Sequence, residues 1–336
     1  MSFVFSCKSN RRLGFHESIV EHLAPSEDQA TIYLVQRGAN VIIDSPEALA
    51  IPLPICRSWF CPFSSRNRIG LPTKFVENQS LPAGHRQWIP VASVCLLESP
   101  DGDSLLLTRR SWRMRSYPGL WVPPGGHCDP AELAEVAAVR ELCEELGFGE
   151  DIFEQFKRSA EKTLRPLCAW EAAFPADAPP TSHQLAICYT AQWPSCLSNT
   201  NDSQQLPNLN LQEDEVCAAA WLPTSVLTVL INDWSCCSQY WREHNNISDM
   251  YAARATCLPT STAVNALADE VWCWTAVSRN WNRVPLNQLI CGLTSSESLN
   301  FTANALNSNT VGPSPLSTGT LYAISQWLFF RNHSGR

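Results

Sequence analysis

One segment of 23 residues, Gly126–Phe148, constrains this chain more than any other part of its sequence. Asp129 is a residue type favoured at helix N-caps, and the proline after it suits a first helical position. Glu132 lies three residues after Asp129, as in a capping box. Gly147 is the residue type that ends helices in the left-handed conformation. The segment therefore predicts a glycine loop followed by a helix over residues 129–146.

The predicted helix has an acidic face and an apolar face. At about 100° of rotation per residue, Glu141, Glu144 and Glu145 fall within about 100° of one another. The apolar side chains fall on the other side, namely Val136, Val139, Leu142, Cys143 and Leu146. Neighbouring carboxylates raise each other's pKa, and clustered carboxylate oxygens suit Mg²⁺ or Mn²⁺. The three glutamates alone also fit a solvated acidic helix end, so the metal hypothesis depends on the rest of the pattern.

The full pattern of the segment resembles the signature of the Nudix hydrolases. Its nine fixed positions are filled as that signature requires, by Gly126, Glu132, Arg140, Glu141, Leu142, Glu144, Glu145, Gly147 and Phe148. Phe148 departs mildly, because an aliphatic residue is usual there. The resemblance implies an α+β fold, an α/β/α sandwich on a mixed sheet. It also implies metal-dependent hydrolysis of a diphosphate that joins a nucleoside to another moiety.

The resemblance further implies roles for single residues. Glu141 and Glu145 would be the principal ligands of Mg²⁺ or Mn²⁺, and Glu144 would be a further ligand or help to activate water. Glu132 would complete the metal site, and Arg140 would orient the glutamates. Gly125 and Gly126 would allow the loop to approach the metal closely. Gly147 would end the helix.

Motifs outside the segment resemble one Nudix subfamily, whose members are assigned to hydrolysis of N7-methylguanosine-capped mRNA. These motifs lie at 60–63, 107–110, 120–127, 166–175, 215–222 and 316–320. The implied substrate is the m7GpppN end of RNA, cut to methylated guanosine diphosphate and 5′-phosphorylated RNA. Two alternatives stay open. One is an NAD(H) diphosphatase or another dinucleotide or CoA pyrophosphatase, and the other is a non-catalytic nucleotide-binding Nudix module.

Five residues outside the acidic face are candidates for substrate contacts. Arg109 and Arg110 carry guanidinium groups that match phosphate oxygens bidentately. They would either bind the substrate phosphates or belong to a solvated loop after a strand. Trp121 and Trp170 would stack on a base, although tryptophans more often belong to the core. His127 follows the glycine loop and would either reach a phosphate or be a bystander.

The composition excludes some classes of partner. The net charge is −8, from 24 basic and 32 acidic side chains, which argues against a protein that coats nucleic acid. Recognition of a nucleotide or of a capped RNA 5′ end remains compatible with this charge. No apolar stretch reaches the roughly 20 residues of a membrane span, so no membrane partner is expected. Protein partners are not indicated by the sequence.

The cysteines bear on the compartment. There are 15 of them, without a CxxC pair, which predicts reduced and mostly buried thiols in an intracellular protein. We expect a cytoplasmic location. A peroxisomal location stays open as an alternative, although the sequence ends in Ser-Gly-Arg and not in Ser-Lys-Leu.

The sequence predicts five regions. Residues 1–50 form a small α+β unit with a hairpin around 37–39, and residues 51–86 form an irregular connector. Residues 87–232 form the Nudix domain, with strands near 89–97, 104–108, 164–174, 183–193 and 215–222. Residues 233–313 are expected to be an irregular insertion rich in Trp, Asn and Ser, and residues 314–336 a C-terminal helix.

Overall fold

The computed structural model describes residues 1–57, 61–63, 87–174, 180–194, 208–232, 270–290 and 316–333. The chain divides into two compact units. The first consists of Met1–Val94, Gly125–Ala138 and Pro166–Tyr189, and the second of Cys95–Pro124, Val139–Arg165 and Thr190–Arg336. None of the described helices is long and apolar enough to cross a membrane.

Fourteen strands are described, and most of them are short. In chain order they are β1 (Phe3–Ser6), β2 (Arg11–Arg12), β3 (Gln29–Arg37), β4 (Asn40–Ile42), β5 (Ile51–Arg57), β6 (Val91–Glu98), β7 (Ser104–Arg110), β8 (Trp121–Val122), β9 (Gly125–His127), β10 (Arg165–Phe174), β11 (Ser182–Gln192), β12 (Val216–Pro223), β13 (Glu270–Thr275) and β14 (Trp281–Pro285). The described helices are α1 (Ile19–Leu23), α2 (Ala134–Leu146), α3 (Glu150–Thr163), α4 (224–232), α5 (Leu286–Leu289) and α6 (Thr318–His333).

The first unit contains a mixed sheet. β1 runs parallel to β4 and antiparallel to β2, and β3 runs antiparallel to both β4 and β5. β5 runs parallel to β10. The α+β class, the mixed sheet and the hairpin between β3 and β4 are therefore as the sequence predicted.

The prediction of an irregular connector over 51–86 is wrong for its first seven residues, which form β5. Leu53, Ile55 and Arg57 are buried while Pro52 and Pro54 face outward, so the strand has a period of two that its prolines obscure. Cys61 is also buried, and the Phe63 ring lies 5.3 Å from that of His183. The rest of the connector, 58–60 and 64–86, lies outside the described residues.

A buried carboxylate holds α1 against the sheet of the first unit. Glu171, on β10, has no exposed surface and accepts hydrogen bonds from the backbone N–H groups of Ile19 (2.7 Å) and Val20 (3.1 Å). The Ser18 hydroxyl donates at 3.0 Å to Oε2, the oxygen that also accepts from Val20, and His183 Nε2 lies 3.1 Å from Oε1. Burial alone would raise the pKa of Glu171, but the bonds from His183 and the helix N–H groups outweigh it and lower the pKa.

Arg57 extends this network from the neighbouring strand. It pairs with Glu171 across the parallel strands β5 and β10, and its side chain is fully buried. Its guanidinium donates to Ser18 Oγ at 2.8 Å, to Asp28 at 2.9 Å and to the Glu27 carbonyl at 2.7 Å. Every guanidinium nitrogen therefore has an acceptor, which offsets the cost of burying the charge.

The second unit contains an antiparallel sheet centred on β7. β7 pairs with the end of β6, with β8 and with β12, and β12 continues through β13 to β14. The prediction of an irregular insertion over 233–313 is wrong for residues 270–290, which form the hairpin β13–β14 and α5. Val271 and Cys273 point inward at a spacing of two, the pattern of a half-buried strand. The other residues of the insertion lie outside the described residues.

Two helices cover parts of the second unit. α3 was not predicted from the sequence; it buries Phe156 and Ala160, and the Phe156 ring lies 6.2 Å from that of Trp193. α6 confirms the predicted C-terminal helix. Its Trp327 is fully buried and donates Nε1–H to Glu98 at 3.0 Å.

The Glu171 network gives a prediction about acid stability. Because the pKa of Glu171 is lowered from its ordinary value of 4.5, its contribution to stability is complete above that pH and is lost as the pH falls below it. We expect Glu171→Gln to lower the free energy of unfolding at pH 7 by about 3 kcal/mol, because an amide presents one acceptor fewer to the helix N–H groups. At about pH 4 and below, the difference should shrink. Urea unfolding at both pH values, with the exposed Glu161→Gln as control, tests this; an equal difference at both would contradict it.

Candidate active site

The glycine strand β9 lies directly against β6 in the first unit. Gly125 is opposite Val94 and Gly126 is opposite Ser93. A Cβ on Gly125 would lie 2.6 Å from the Val94 Cα and would overlap the Ser93 carbonyl oxygen. Only glycine fits at position 125, the residue directly before the Gly126–Phe148 segment.

The helix starts later than predicted, at Ala134 rather than near Asp129. Residues 129–132 form a turn instead, in which Glu132 N–H donates to the Asp129 carbonyl at 3.1 Å. Pro130 and Ala131 occupy the central positions, and Ala131 has a φ of 64°. This combination is typical of a type II turn, whose third residue is ordinarily glycine. The predicted capping box survives in half, because Glu132 Oε2 accepts from Asp129 N–H at 2.8 Å.

The end of α2 is as the sequence predicted. Gly147 adopts a φ of 65° and donates its N–H to the Glu144 carbonyl at 3.1 Å. Phe148 N–H donates to the Cys143 carbonyl at 3.0 Å, which completes a Schellman motif. Asn210 N–H donates to the Leu146 carbonyl at 3.0 Å, so the loop after residue 208 satisfies a further carbonyl of the last turn.

The apolar face of α2 differs from the prediction at one position. Val139, Leu142, Cys143 and Leu146 are buried, but Val136 is 47% exposed. In the first turns of the helix the buried side chains are instead Ala134, Ala137 and Ala138. These small residues let the helix approach β6 closely, and the Ser93 hydroxyl donates to the Ala134 carbonyl at 2.6 Å.

The three glutamates of α2 differ in exposure. Arg140 Nη1 donates to one oxygen of Glu141 and one of Glu144, each at 2.9 Å. The Glu144 side chain is 54% exposed and that of Glu141 only 14%. Glu145 is almost fully buried and accepts from the Thr108 hydroxyl at 3.1 Å. Arg140 is therefore placed to orient two of the carboxylates, and Thr108 to orient the third.

Glu141 is a partly desolvated carboxylate with charged neighbours of both signs. Burial raises the pKa of Glu141, Arg140 lowers it, and the charges of Glu144 and Glu215 raise it again, so that the balance lies above the ordinary value. Glu215 precedes β12 and was not assigned a role from the sequence. Partly desolvated carboxylates with acidic neighbours are stabilised by a cation, and carboxylate oxygens are the donors that Mg²⁺ and Mn²⁺ prefer. The donor chemistry of this helix face therefore fits a divalent metal ion.

The residue types of this helix face suit a divalent metal ion, but their side chains do not form a complete set of ligands in this structure. Among the residues that the structure describes, no group of three or more His, Cys, Asp or Glu side chains is arranged to hold a metal ion. Arg140 spans the space between Glu141 and Glu144 and supplies the positive charge there.

The candidate substrate residues fall into two groups. Arg110 and His127 keep exposed surface, and Arg110 Nε donates to the Ser116 carbonyl at 2.9 Å. Arg109 is fully buried on β7, with its guanidinium 5.3 Å from the centre of the Trp112 ring. Trp170 is 8% exposed. Arg109 and Trp170 are thus placed in the interior, away from bulk solvent.

Trp121 is a core residue in this structure. It is 1% exposed, and its Nε1–H donates to the Leu289 carbonyl at 2.9 Å. Its own carbonyl accepts from Ser317 N–H at 3.2 Å and from the Thr320 hydroxyl at 3.3 Å. Ser317 Oγ accepts from Thr320 N–H at 3.1 Å at the start of α6. The motif at 316–320 therefore caps α6 and fastens it to Trp121.

Three positioning residues were missed from the sequence. Thr108 contacts Glu145, Ser93 contacts the first turn of α2, and Gln36 contacts the turn before it. All three act through side chains on strands far from α2 in the sequence. No local pattern predicts such contacts, although the apolar runs of β6 and β7 mark them as strands.

The mixed sheet, the strand β9 that excludes a side chain at position 125, and the glutamates of α2 agree with the expectation drawn from the sequence pattern. The comparison with protein families gives the same answer, because residues 88–235 match the family described as NUDIX domain. The chain therefore carries a Nudix domain, and the resemblance drawn from the Gly126–Phe148 segment is confirmed.

Named relatives share part of their length with this chain. It is 29% identical over 220 residues to m7GpppN-mRNA hydrolase NUDT17 of Xenopus laevis, covering 63% of this chain and 66% of the relative. It is 30% identical over 194 residues to the Bos taurus protein of that name, covering 56% and 58%. The match thus spans less than two thirds of the length of each of these relatives. A crystal structure of a NUDIX hydrolase from Alicyclobacillus acidocaldarius matches with a TM-score of 0.31 and 18% identity, over 45% of this chain and 85% of that one.

The turn before α2 gives a stability prediction. Ala131 has a left-handed backbone, which costs an L-residue about 1–2 kcal/mol and a glycine nothing. We expect Ala131→Gly to raise the free energy of unfolding by up to about 1 kcal/mol, since glycine gives back part of the gain as unfolded-state entropy. Thermal unfolding beside Ala173→Gly, a change within the extended strand β10 that should destabilise, provides the comparison. A drop in stability for Ala131→Gly would contradict the assigned turn.

The burial of Trp121 gives a second prediction. Trp121→Phe removes the donor to the Leu289 carbonyl, and we expect a loss of about 1–3 kcal/mol in the free energy of unfolding. Once the protein is folded, the KM for a nucleotide substrate should stay within a few-fold of the parent. The half-buried Trp272→Phe serves as control. Unchanged stability with a large rise in KM would instead assign Trp121 to base stacking.

Proposed function

We propose that this chain is a Nudix hydrolase that cleaves a phosphoric anhydride with a divalent metal ion held by the glutamates of α2. The observation that carries the proposal is the acidic side of α2 in a region matched to the Nudix family: Glu141 and Glu144 contact Arg140, and the buried Glu145 accepts from Thr108. A solvated helix end does not account for a carboxylate as buried as Glu145.

Each residue of the face has a proposed task. Glu141 and Glu145 hold Mg²⁺ or Mn²⁺, with Glu144 and Glu132 as further ligands or as groups that orient water. When bound, the metal ion neutralises charge on the phosphate oxygens and makes its water more acidic. Arg140 keeps the carboxylates in place, and Thr108 fixes the rotamer of Glu145 through its hydroxyl. Gly126 keeps the glycine loop close to the metal, and Gly125 lets that loop lie directly against β6.

For the substrate, we propose the m7GpppN end of capped RNA, converted to methylated guanosine diphosphate and 5′-phosphorylated RNA. The support is the name shared by the relatives of Xenopus laevis and Bos taurus, m7GpppN-mRNA hydrolase. Of the exposed candidate residues, Arg110 and His127 are the ones proposed to contact phosphates. The negative net charge suits a substrate held at its 5′ end rather than along its length.

The metal-ligand assignment predicts the effect of one substitution. Glu145→Gln keeps an oxygen that accepts from Thr108, so the fold should persist, but it removes the charge that binds the metal ion. We expect turnover to fall at least about 100-fold, which corresponds to roughly 3 kcal/mol of transition-state stabilisation. Glu135→Gln, the same change on an exposed turn of the same helix, should leave turnover unchanged. Near-normal activity in a folded Glu145→Gln protein would contradict the assignment of Glu145 as a metal ligand.

The choice of substrate is tested by product analysis with Mg²⁺ and with Mn²⁺. Capped m7GpppA-RNA, unmethylated GpppA-RNA, NADH and coenzyme A are offered side by side, with Glu145→Gln as the blank. Faster release of methylated guanosine diphosphate supports the decapping proposal. Preference for NADH or coenzyme A keeps the chemistry and overturns the substrate. Binding of these nucleotides without turnover of any would favour the non-catalytic module.

A further inference from the structure

Gln36, on strand β3 of the N-terminal region, forms hydrogen bonds with the backbone at the turn that leads into α2. Its side-chain oxygen accepts from Ala134 N–H at 2.8 Å, and its side-chain N–H group donates to the Glu132 carbonyl in a short hydrogen bond. The same N–H group also reaches the Gly38 carbonyl at 3.3 Å. The two bonds to the turn lie 98 and 96 residues from Gln36 along the chain. One amide group thus fixes both sides of residue 133.

The first turn of α2 needs such a partner. The first N–H groups of a helix have no acceptor within the helix, and Asp129, the sequence candidate for the N-cap, lies five residues before Ala134. The side-chain oxygen of Gln36 accepts a hydrogen bond from Ala134 N–H, one of these first N–H groups of the helix. The cap of this helix therefore comes from another strand rather than from the preceding sequence.

The turn itself also needs support. Ala131 is held with a φ of 64°, a conformation that an L-residue keeps only when its surroundings impose it. Ser2 holds the start of the turn, since its N–H donates to the Cys128 carbonyl at 3.1 Å and its hydroxyl donates to the Asp129 carbonyl at 3.2 Å. Gln36 holds the other end. Residues of the N-terminal region thereby form hydrogen bonds with both ends of the segment 128–134.

We propose that Gln36 is a positioning residue for hydrolysis, which sets the place of Glu132 and the first turn of α2. The inference rests on the proposed function, in which Glu132 belongs to the metal site. Gln36 touches the backbone of Glu132 and not its carboxylate, so it acts through the turn. It follows that the N-terminal region is a working part of the catalytic apparatus rather than an appended module.

Two substitutions separate positioning from simple stabilisation. Gln36→Glu keeps an oxygen that accepts from Ala134 N–H, and a negative charge at a helix N-terminus is favourable, so the unfolding temperature should stay near the parent value. It replaces the donor to the Glu132 carbonyl by an acceptor and should displace that residue. Gln36→Met has a similar shape and loses both bonds. Gln29, exposed on the same strand, supplies matched controls as Gln29→Glu and Gln29→Met.

The primary readout is the affinity for Mn²⁺. It is measured by titrating each variant with Mn²⁺ and recording the electron paramagnetic resonance signal of the unbound ion. Loss of groups that support metal ligands ordinarily weakens metal affinity or activity about 10–100-fold. We expect both Gln36 variants to bind Mn²⁺ about 10-fold more weakly, and kcat at saturating Mn²⁺ to fall more than KM rises. The Gln29 variants should match the parent. Gln36→Glu with parental Mn²⁺ affinity and kcat would overturn the proposal.

A second measurement is independent of activity. Hydrogen exchange at the Ala134 amide in the metal-free protein should speed up in Gln36→Met and stay slow in Gln36→Glu, because only the latter keeps an acceptor. Equal exchange in both and in the parent would show that Gln36 does not cap α2, which would overturn the proposal even if a variant were inactive. An active Glu145→Gln, by contrast, would refute the proposed function. An inactive Glu145→Gln beside unaffected Gln36 variants would refute this inference alone.

Discussion

The rest of the site depends on the close contact around Ser93. Its carbonyl faces the Cα of Gly125, where no side chain fits, and its hydroxyl donates to the Ala134 carbonyl at 2.6 Å. One fully buried residue of β6 thus sets the distance both to the glycine strand and to the first turn of α2. The small side chains of Ala134 and Ala138 are what allow that approach. A larger residue at any of these positions would move the helix away from the strand.

Two carboxylates with restricted exposure, Glu171 and Glu141, have opposite surroundings. Glu171 is surrounded by donors from Ser18, two helix N–H groups and His183, and its pKa falls despite complete burial. Burial raises the pKa of Glu141, and the two acidic neighbours Glu144 and Glu215 add to this rise, while Arg140 opposes it. A carboxylate whose lone pairs are satisfied by the protein serves the fold. One whose neighbours are also negative gains most from an added cation, which is why the α2 face rather than the α1 network is the candidate metal site.

Local patterns predicted the elements that local chemistry decides. The left-handed Gly147 ends α2 as expected, because a helix stop is a property of a few adjacent residues. The N-terminus of α2 was placed wrongly because its cap is Gln36, which sequence spacing cannot connect to Ala134. The strand β5 was missed because two prolines masked its alternation, and the hairpin over 270–290 because its tryptophans conceal a period of two. Contacts between distant strands decided each of these cases.

The motifs outside the Gly126–Phe148 segment have structural tasks in the fold. The motif at 316–320 caps α6 and binds Trp121, while Glu171 in the motif at 166–175 anchors α1. Such motifs mark a shared scaffold, and a scaffold is compatible with more than one nucleotide substrate. Substrate choice would then depend on side chains that reach solvent, among which His127 is exposed and Arg110 is half-buried. The resemblance to decapping enzymes and the choice of substrate are therefore separate questions, answered by different residues.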